Sequence, residues 1–461
     1  MATFKGTLFD LRKLRAIKSI SYLQLVLGHV GLGLLLFTFR PLSKFVLFAI
    51  ILYFLYRIFN KGNRKDEVLL AAGYITGFEV FSRMTGGAFS YEFAKYAVIG
   101  FLSLGMFFRG FNSKSWPYIF YLLCLVPGIL FSAINLSYSA KVGNAIGFNL
   151  SGPVCLGIAA LYCYNRKMSR ERLQDILLAV LLPIVSTTTY LYLYNPSIRE
   201  VLDGTASNFA ASGGYGPNQV ATVLGLAMVI LFSRLFLIKS RSVNLIDLVL
   251  LAGISYRAII TFSRGGVITA LVCIAIFIVI YFLRANVREK AFALPRLVIL
   301  SLLGIGIWGI SSLSTLGLID KRYANQDALG REKADITTGR TELIESELQA
   351  FYEHPITGIG VGKNKEYRLE SIGELSATHN EVSRMLAEHG LFGVLALGIL
   401  IFTPLIFRLK NRTNVYLFSF LAFWFLTINH SSMRIAAPAF IYGLCLLNLT
   451  IKSESKTAIY R

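Results

Sequence analysis

Charge is scarce in this 461-residue sequence, at 15% Asp, Glu, Lys and Arg, and long polar stretches are scarcer: a single interval, from about Leu316 to Gly393, breaks an otherwise apolar chain. Too little polar surface is on offer for a soluble globular protein of this size. Cysteine is sparse as well. Cys124, Cys155, Cys163, Cys273 and Cys445 each sit in an apolar run, with no CxxC pair and no histidine cluster, which argues against a disulfide framework or a zinc site. No metal and no cofactor is expected. A convincing small-residue cleavage site is also lacking: the first apolar run follows a basic head and reads as a retained signal-anchor helix rather than a signal peptide.

What the chain has in abundance is hydrophobic residues, 55% of the total, gathered into repeated runs of about 16 to 24 residues, the length a helix needs to cross roughly 30 Å of hydrocarbon. Backbone polar groups in lipid must be satisfied within the segment, and these runs are too long and too uniformly apolar for barrel strands. The expected fold is therefore an all-α polytopic membrane protein. Candidate spans run about Ile20 to Phe39, Leu42 to Phe59, Val68 to Phe81, Phe93 to Phe108, Trp116 to Leu136, Gly143 to Tyr164 and Leu173 to Tyr194. A second set runs about Pro217 to Ile238, Leu245 to Thr261, Gly266 to Leu283, Leu294 to Leu316, Glu381 to Phe407, Val415 to Ile428 and Ile435 to Ile451. That makes about fourteen spans, with twelve as the alternative if the short third and thirteenth, marked by Glu79 and Asn429, are re-entrant.

Every second connection is basic. Arg12, Lys13, Arg15 and Lys18 begin the series, which continues through Lys61/Arg64/Lys65, Arg109/Lys114, Arg166/Lys167/Arg170/Arg172, Lys239/Arg241, Arg284/Arg288/Lys290 and Arg408/Lys410/Arg412 to Lys452 and Lys456. Cytoplasmic loops are enriched in lysine and arginine, so both termini are expected in the cytoplasm. Topology then explains most of the net charge of +21, and no nucleic-acid partner is needed.

The informative residues collect in the alternate connections: 195–216, Ser263-Arg264, the long loop 317–378, and 429–434. A positive charge there works against the topology rule. Arg264, in Thr261-Phe262-Ser263-Arg264-Gly265-Gly266, is costly to desolvate unless it meets an anion, and the two glycines are expected to leave room for a bulky one. The rival reading is an interfacial arginine bonded to lipid phosphate or loop carbonyls. In the long loop, Thr337-Thr338-Gly339-Arg340-Thr341-Glu342 reads as a hydroxyl-capped helix start. Leu343, Ile344, Leu348, Phe351 and Tyr352 recur at helical spacing until His354-Pro355 stops the helix. Its apolar face is expected on the tops of the spans or in the membrane interface, holding Arg340 at the water boundary. Gly358-Ile359-Gly360-Val361-Gly362 reads as an ordinary tight turn ahead of a phosphate nest, because it lacks the strand and helix of a dinucleotide fingerprint. His379-Asn380 then precedes a helix expected to continue through Glu388-His389-Gly390 and Gly393 into the twelfth span. At a helix start the dipole disfavours imidazolium, so a neutral, base-competent His379 is expected; a structural histidine is the alternative, and His354 and His389 are weaker candidates.

Ser263-Arg264-Gly265-Gly266, Gly339-Arg340, His354-Pro355 with Gly358 and Gly360, His379-Asn380, and Glu388 through Gly390 to Gly393 together resemble the O-antigen ligase and polymerase superfamily. Gly216-Pro217-Asn218 is similar to a short asparagine motif of that family, and the resemblance covers roughly Ala210 to Leu405. It divides the chain into N-terminal spans (1–209), a ligase-like catalytic region (210–407) containing the loop 317–378, and C-terminal spans with a tail (408–461).

The resemblance implies a GT-C-like, metal-independent, inverting glycosyltransferase of the bacterial inner membrane, with its active site periplasmic. It would move a glycan from undecaprenyl diphosphate to an acceptor hydroxyl. Arg264 and Arg340 carry over as cations for the diphosphate leaving group and His379 as general base, with Glu381 as an alternative base. Asn380 is a candidate to orient the imidazole and Asn218 to bond sugar or phosphate. Lipid A core is the favoured acceptor, a second lipid-linked glycan (polymerase) the next, and a protein hydroxyl the third. From another class, a lipid-linked glycan transporter or flippase is compatible with buried polar residues such as Glu79, Lys95 and Arg257.

Overall fold

The computed structural model describes residues 19–137, 141–333, 339–373, 378–410 and 413–450. Eleven long helices come first: α1 (Ser19–Thr38), α2 (Leu42–Lys61), α3 (Glu67–Met84), α4 (Phe93–Arg109), α5 (Trp116–Asn135), α6 (Val142–Cys163), α7 (Arg170–Tyr194), α8 (Pro217–Leu237), α9 (Arg241–Ile260), α10 (Arg264–Arg284) and α11 (Val287–Ser314). The long loop then supplies α12 (Leu318–Tyr323), α13 (Arg340–Glu353) and α14 (Asn364–Ile372), followed by α15 (Glu381–His389), α16 (Leu391–Lys410), α17 (Leu417–Ser431) and α18 (Ala437–Cys445). Among the described residues nine helices are long and apolar enough to cross a membrane. The protein is an all-α polytopic membrane protein, as the apolar runs predict.

Burial sorts the helices. α8 is apolar on all sides and enclosed along its whole length, whereas α11 and the first two helices expose most of their apolar residues, the pattern of a central helix and of lipid-facing ones. α3 and α4 are nearly as long but carry buried charge, Glu79 and Lys95. Both pair inside the bundle.

Two expectations need correction. The predicted continuous span from Glu381 breaks at Gly390, which takes φ +58 and ends α15 before α16 begins. The predicted final span forms only the nine residues of α18, short of the roughly 20 needed to cross, and the chain then enters a short strand. That strand, β2 (Asn448–Thr450), pairs in parallel with β1 (Lys167–Ser169). The pairing joins two of the basic connections at one end of the bundle. At the same end Arg109 and Arg166 both reach Asp66, at 3.1 and 3.9 Å. Asn218, Arg264 and the loop helices lie where the alternate connections begin and end.

Candidate functional site

α8 and α10 start side by side. Ser263, preceding α10, donates its hydroxyl to Asn218 Oδ1 at 2.7 Å, and the Asn218 carbonyl accepts from Thr222 Oγ1 at 2.7 Å. Thr222 Oγ1 in turn stands 3.3 Å from His430 Nε2, while His430 Nδ1 lies 2.9 Å from the Leu426 carbonyl oxygen. The glycines after Arg264 do not open space for a ligand, contrary to the sequence reading. A Cβ on Gly265 would stand 2.4 Å from His430 Cδ2, and one on Gly266 would stand 2.4 Å from the Ala221 backbone. They let α17 and α8 approach α10.

Arginines gather above this junction. Arg264 Nη1 donates to the Arg322 carbonyl at 3.4 Å, and buried Arg322 donates Nε to the Phe262 carbonyl at 3.1 Å. Phe262 is itself buried at φ +57, a conformation a bulky residue adopts only when its surroundings impose it. Burial, followed by the positive charges of Arg264 and Arg340, lowers the Arg322 pKa to about 10. Arg340 is lowered by burial and then by Arg264 and Arg434. Arg434 donates to the Thr378 carbonyl at 2.7 Å, and burial lowers its pKa too. Arg264 and Arg340 thus act on Arg322, and Arg264 and Arg434 on Arg340, so the four guanidinium groups form one linked set of like charges, with Glu381 beside Arg434 offsetting part of its charge.

His379 faces this group. Its carbonyl accepts from Ser432 N–H at 3.1 Å, next to the Arg434 bond to Thr378, and its Nδ1 is buried without a hydrogen-bond partner among the described residues. Burial, then Arg434, Arg340, Arg368 and His430 in that order, push the imidazole pKa down to about 4. The ring is neutral at pH 7, chiefly because of burial and arginines. Asn380 caps α15, accepting from Val382 and Ser383 N–H at 2.8 and 3.2 Å, and donates to Asn429 Oδ1 at 3.1 Å; these bonds do not reach the His379 ring. Glu381 is engaged by Arg384.

The loop helices hold the short irregular segment 378–380 that carries His379. α13 begins at Arg340 behind Gly339, which sits at φ +78; the N-cap is thus a glycine and not the expected hydroxyl, and Thr337 and Thr338 lie outside the described residues. His354 ends α13 as predicted. α13 packs on α15, and its buried Glu347 accepts from Arg368, Thr378 and Ser383 at 2.7, 2.5 and 2.5 Å, joining α13, α14 and α15. The Gly358–Gly362 run is occupied: its N–H groups donate, in order, to the carbonyls of His354, Ala387, Glu388 and Gly128 and to Glu388 Oε1. None is left for a phosphate. Gly358 and Gly360 have positive φ, and a Cβ on them would strike the Glu388 and Ser132 backbones. His389 is fully buried against Gly128 in α5, a packing residue, and His354 is the exposed stop of α13.

Charges in α3 and α4 fix the turn that carries Arg434. Arg83 Nη1 donates to the Arg434 carbonyl at 3.2 Å, Lys95 Nζ to the Met433 carbonyl at 3.1 Å, and Ala436 N–H to Glu79 Oε2 at 2.6 Å. Glu79 and Arg83 pair at 2.5 Å, and Lys95 pairs with Glu92.

Residues 248–398 match the family model Wzy_C, O-antigen ligase. Over this stretch the chain is similar to the O-antigen ligase family. No curated protein and no solved structure matches it. The O-antigen ligase match takes in Arg264, Arg322, Arg340, His379 and Asn380; Asn218, His430 and Arg434 lie outside it. Arg322, Arg434 and His430 complete the group although the sequence reading gave them no role. Arg322 and Arg434 carried the same signal as Arg264, a positive charge in a connection where the topology rule disfavours one.

Proposed function

We propose that this protein is an O-antigen ligase-type glycosyltransferase of the bacterial inner membrane, moving a glycan from undecaprenyl diphosphate to an acceptor hydroxyl at the periplasmic face, with both termini cytoplasmic. The observation that carries this reading is the convergence of Arg264, Arg322, Arg340 and Arg434 beside a neutral His379. Like charges held together at a cost in repulsion suit a multiply charged anion. A diphosphate supplies that charge and accepts the forked N–H donors of arginine. A divalent cation would be repelled from the same place, which favours a metal-independent reaction.

In the reaction the anomeric C1–O bond to the diphosphate breaks as the acceptor oxygen bonds C1 from the opposite face, inverting the centre. The electron pair of the broken bond goes to the diphosphate, where the arginines stabilise the new charge. The acceptor proton passes to the His379 imidazole. Asn218, bonded to Ser263 at the head of α10, borders the anion site; Asn380 contributes by capping the helix that follows the base.

Lipid A core is the acceptor favoured here, with a second lipid-linked glycan, as in a polymerase, as the runner-up. The transporter reading loses support because its candidate residues are locked in place: Glu79 and Lys95 brace the 433–436 turn, and Arg257 donates to the Ala211 carbonyl at 2.9 Å.

The test is single-turnover conversion of a purified undecaprenyl-diphosphate glycan in EDTA, with lipid A core or a second donor molecule as acceptor. Release of undecaprenyl diphosphate by the parent, and its loss with donor binding retained in His379→Ala, is the expected result. Donor binding with no cleavage in the presence of either acceptor overturns the reading and favours transport.

A further inference from the structure

Away from the arginine group, α2 and α4 both pack on α3 and leave between them a lateral groove with about 510 Å³ of open space. Ile51, Leu55 and Phe59 form one wall and Tyr96, Gly100 and Leu104 the other. A Cβ on Gly100 would meet nothing within 4 Å, so no described part of the chain takes up that space. Phe54 and Phe101 meet edge to face at 6.4 Å behind the groove, and Phe59 and Phe108 close its far end at 5.8 Å. These pairs hold α2 and α4 in register, and the same register sets Phe93 beside the turn that carries Lys44. From Phe93 to Leu104 the groove follows α4 for eleven residues, roughly 16 Å. That is close to half of the roughly 30 Å of hydrocarbon, the depth one leaflet's chains fill.

The open end carries a cation. Lys44 shares the groove-facing stripe of α2 with Ile51 and Leu55, seven and eleven residues on, and stands roughly 10 Å beyond Ile51. It is exposed, and no Asp or Glu occurs between Asp10 and Asp66 to pair with it. Glu92, just before α4, is taken up by Lys95 and Ser151. The chain between α3 and α4 lies against α2 here, since a Cβ on Gly87 would stand 2.7 Å from Ser43 Cβ, and Arg83 at the end of α3 donates to the Arg434 carbonyl. Lys44 therefore belongs to the end of the bundle that carries the candidate site, where the alternation of basic connections disfavours a positive charge.

We propose that the groove is a phospholipid site, in which one acyl chain of an anionic lipid lies along Gly100 between α2 and α4 and its phosphate meets Lys44. Apolar walls of one leaflet's depth suit a single chain. The lysine stem runs along apolar surface while its ammonium sits at headgroup level, where it attracts a negative headgroup. The aromatic pair at Phe59 and Phe108 sets the direction: a chain fits with its headgroup at the Lys44 end, and Lys61 lies beyond the closed end. A chain seated here fills the gap beside α3, whose Arg83 holds the turn bearing Arg434.

The test reads bound lipid and needs no turnover. Full-length protein in detergent, doped with phosphatidylglycerol or phosphatidylethanolamine, is examined by native mass spectrometry beside the variants Lys44→Gln, Gly100→Leu and Lys61→Gln. The difference in retained lipid between parent and Gly100→Leu counts the molecule in the groove. The parent is expected to hold that molecule about fivefold or more tightly as phosphatidylglycerol than as phosphatidylethanolamine, the worth of one interfacial lysine. Lys44→Gln should lose this preference and still retain a lipid, Gly100→Leu should lose the lipid whatever its headgroup, and Lys61→Gln should behave as the parent. Equal affinity of the parent for the two lipids, no loss in Gly100→Leu, or the same loss of preference in Lys61→Gln as in Lys44→Gln overturns the proposal. Retention of undecaprenyl phosphate ahead of phosphatidylglycerol, abolished by Gly100→Leu, also overturns it and gives the groove to a prenyl chain.

Discussion

Gly265 lies directly beneath the ring of His430: a Cβ at that glycine would stand 2.4 Å from His430 Cδ2 and 2.6 Å from Cγ. The contact joins the start of α10 to the end of α17 and so sets where Arg264 stands. Gly265→Ala is expected to lower stability by roughly 1–3 kcal/mol, the usual cost of forcing extra volume into a packed contact. Gly266→Ala is expected to cost more, because its obstacle is the Ala221 backbone and cannot rotate away. Thermal unfolding of the two variants in detergent gives the order. Equal and negligible shifts would mean that the helices separate easily.

Arg322 has two other arginines, Arg264 and Arg340, acting on it, and its Nε is fixed on the Phe262 carbonyl. If the group holds a diphosphate, Arg322→Ala is expected to weaken undecaprenyl diphosphate binding about 10- to 100-fold, the worth of a charge-assisted bond. Arg322→Lys, keeping the charge without the fork, should recover part of the loss. Binding by fluorescence or calorimetry decides, and unchanged affinity in the alanine variant would remove Arg322 from the anion site.

Lys95 is sandwiched between Glu92 and the Met433 carbonyl, one residue before Arg434. Removing one partner of a buried pair leaves the other charged and unpaired, so Lys95→Met is expected to destabilise by about 3–5 kcal/mol. Adding Glu92→Gln removes the orphaned charge, and the double variant should recover part of that loss. A double variant no more stable than Lys95→Met would show that the pair does not act as a unit.

The membrane-helix architecture was legible because hydrocarbon thickness imposes a run length that local composition reports directly. Arg264, Arg340 and His379 were legible as candidates by their placement, and the structure does bring them into one region. Less legible were interactions that depend on distant chain segments. Nothing local in Gly390 says that α15 stops there; the break follows from the Ile356–Gly358 backbone, against which a Cβ at Gly390 would stand 2.6 to 2.7 Å away. Gly265 and Gly266 look like open space until α17 and α8 are laid on them. Glu79 and Lys95 read as a translocation path until their partners, some 340 to 360 residues away, are seen to be the 433–436 turn.

Protonation of His379 offers the sharpest handle on the site. Its pKa is pushed down to about 4, by burial first and by Arg434 next, so the neutral, proton-accepting form persists as pH falls and is lost only on passing through that lowered value. A general base of this kind predicts that kcat/KM, which reports the free enzyme, stays level from neutral pH into the acid range and falls with an apparent pKa well under the ordinary 6.5 or so. Arg434→Gln removes the largest charged contribution and is expected to move the acid limb to higher pH, narrowing the active range from the acid side. His379→Gln should lower turnover by about 10²- to 10⁴-fold and abolish the limb itself. A limb that stays in place in Arg434→Gln, or survives in His379→Gln, would assign the titrating base to another residue, with Glu381 the first to examine.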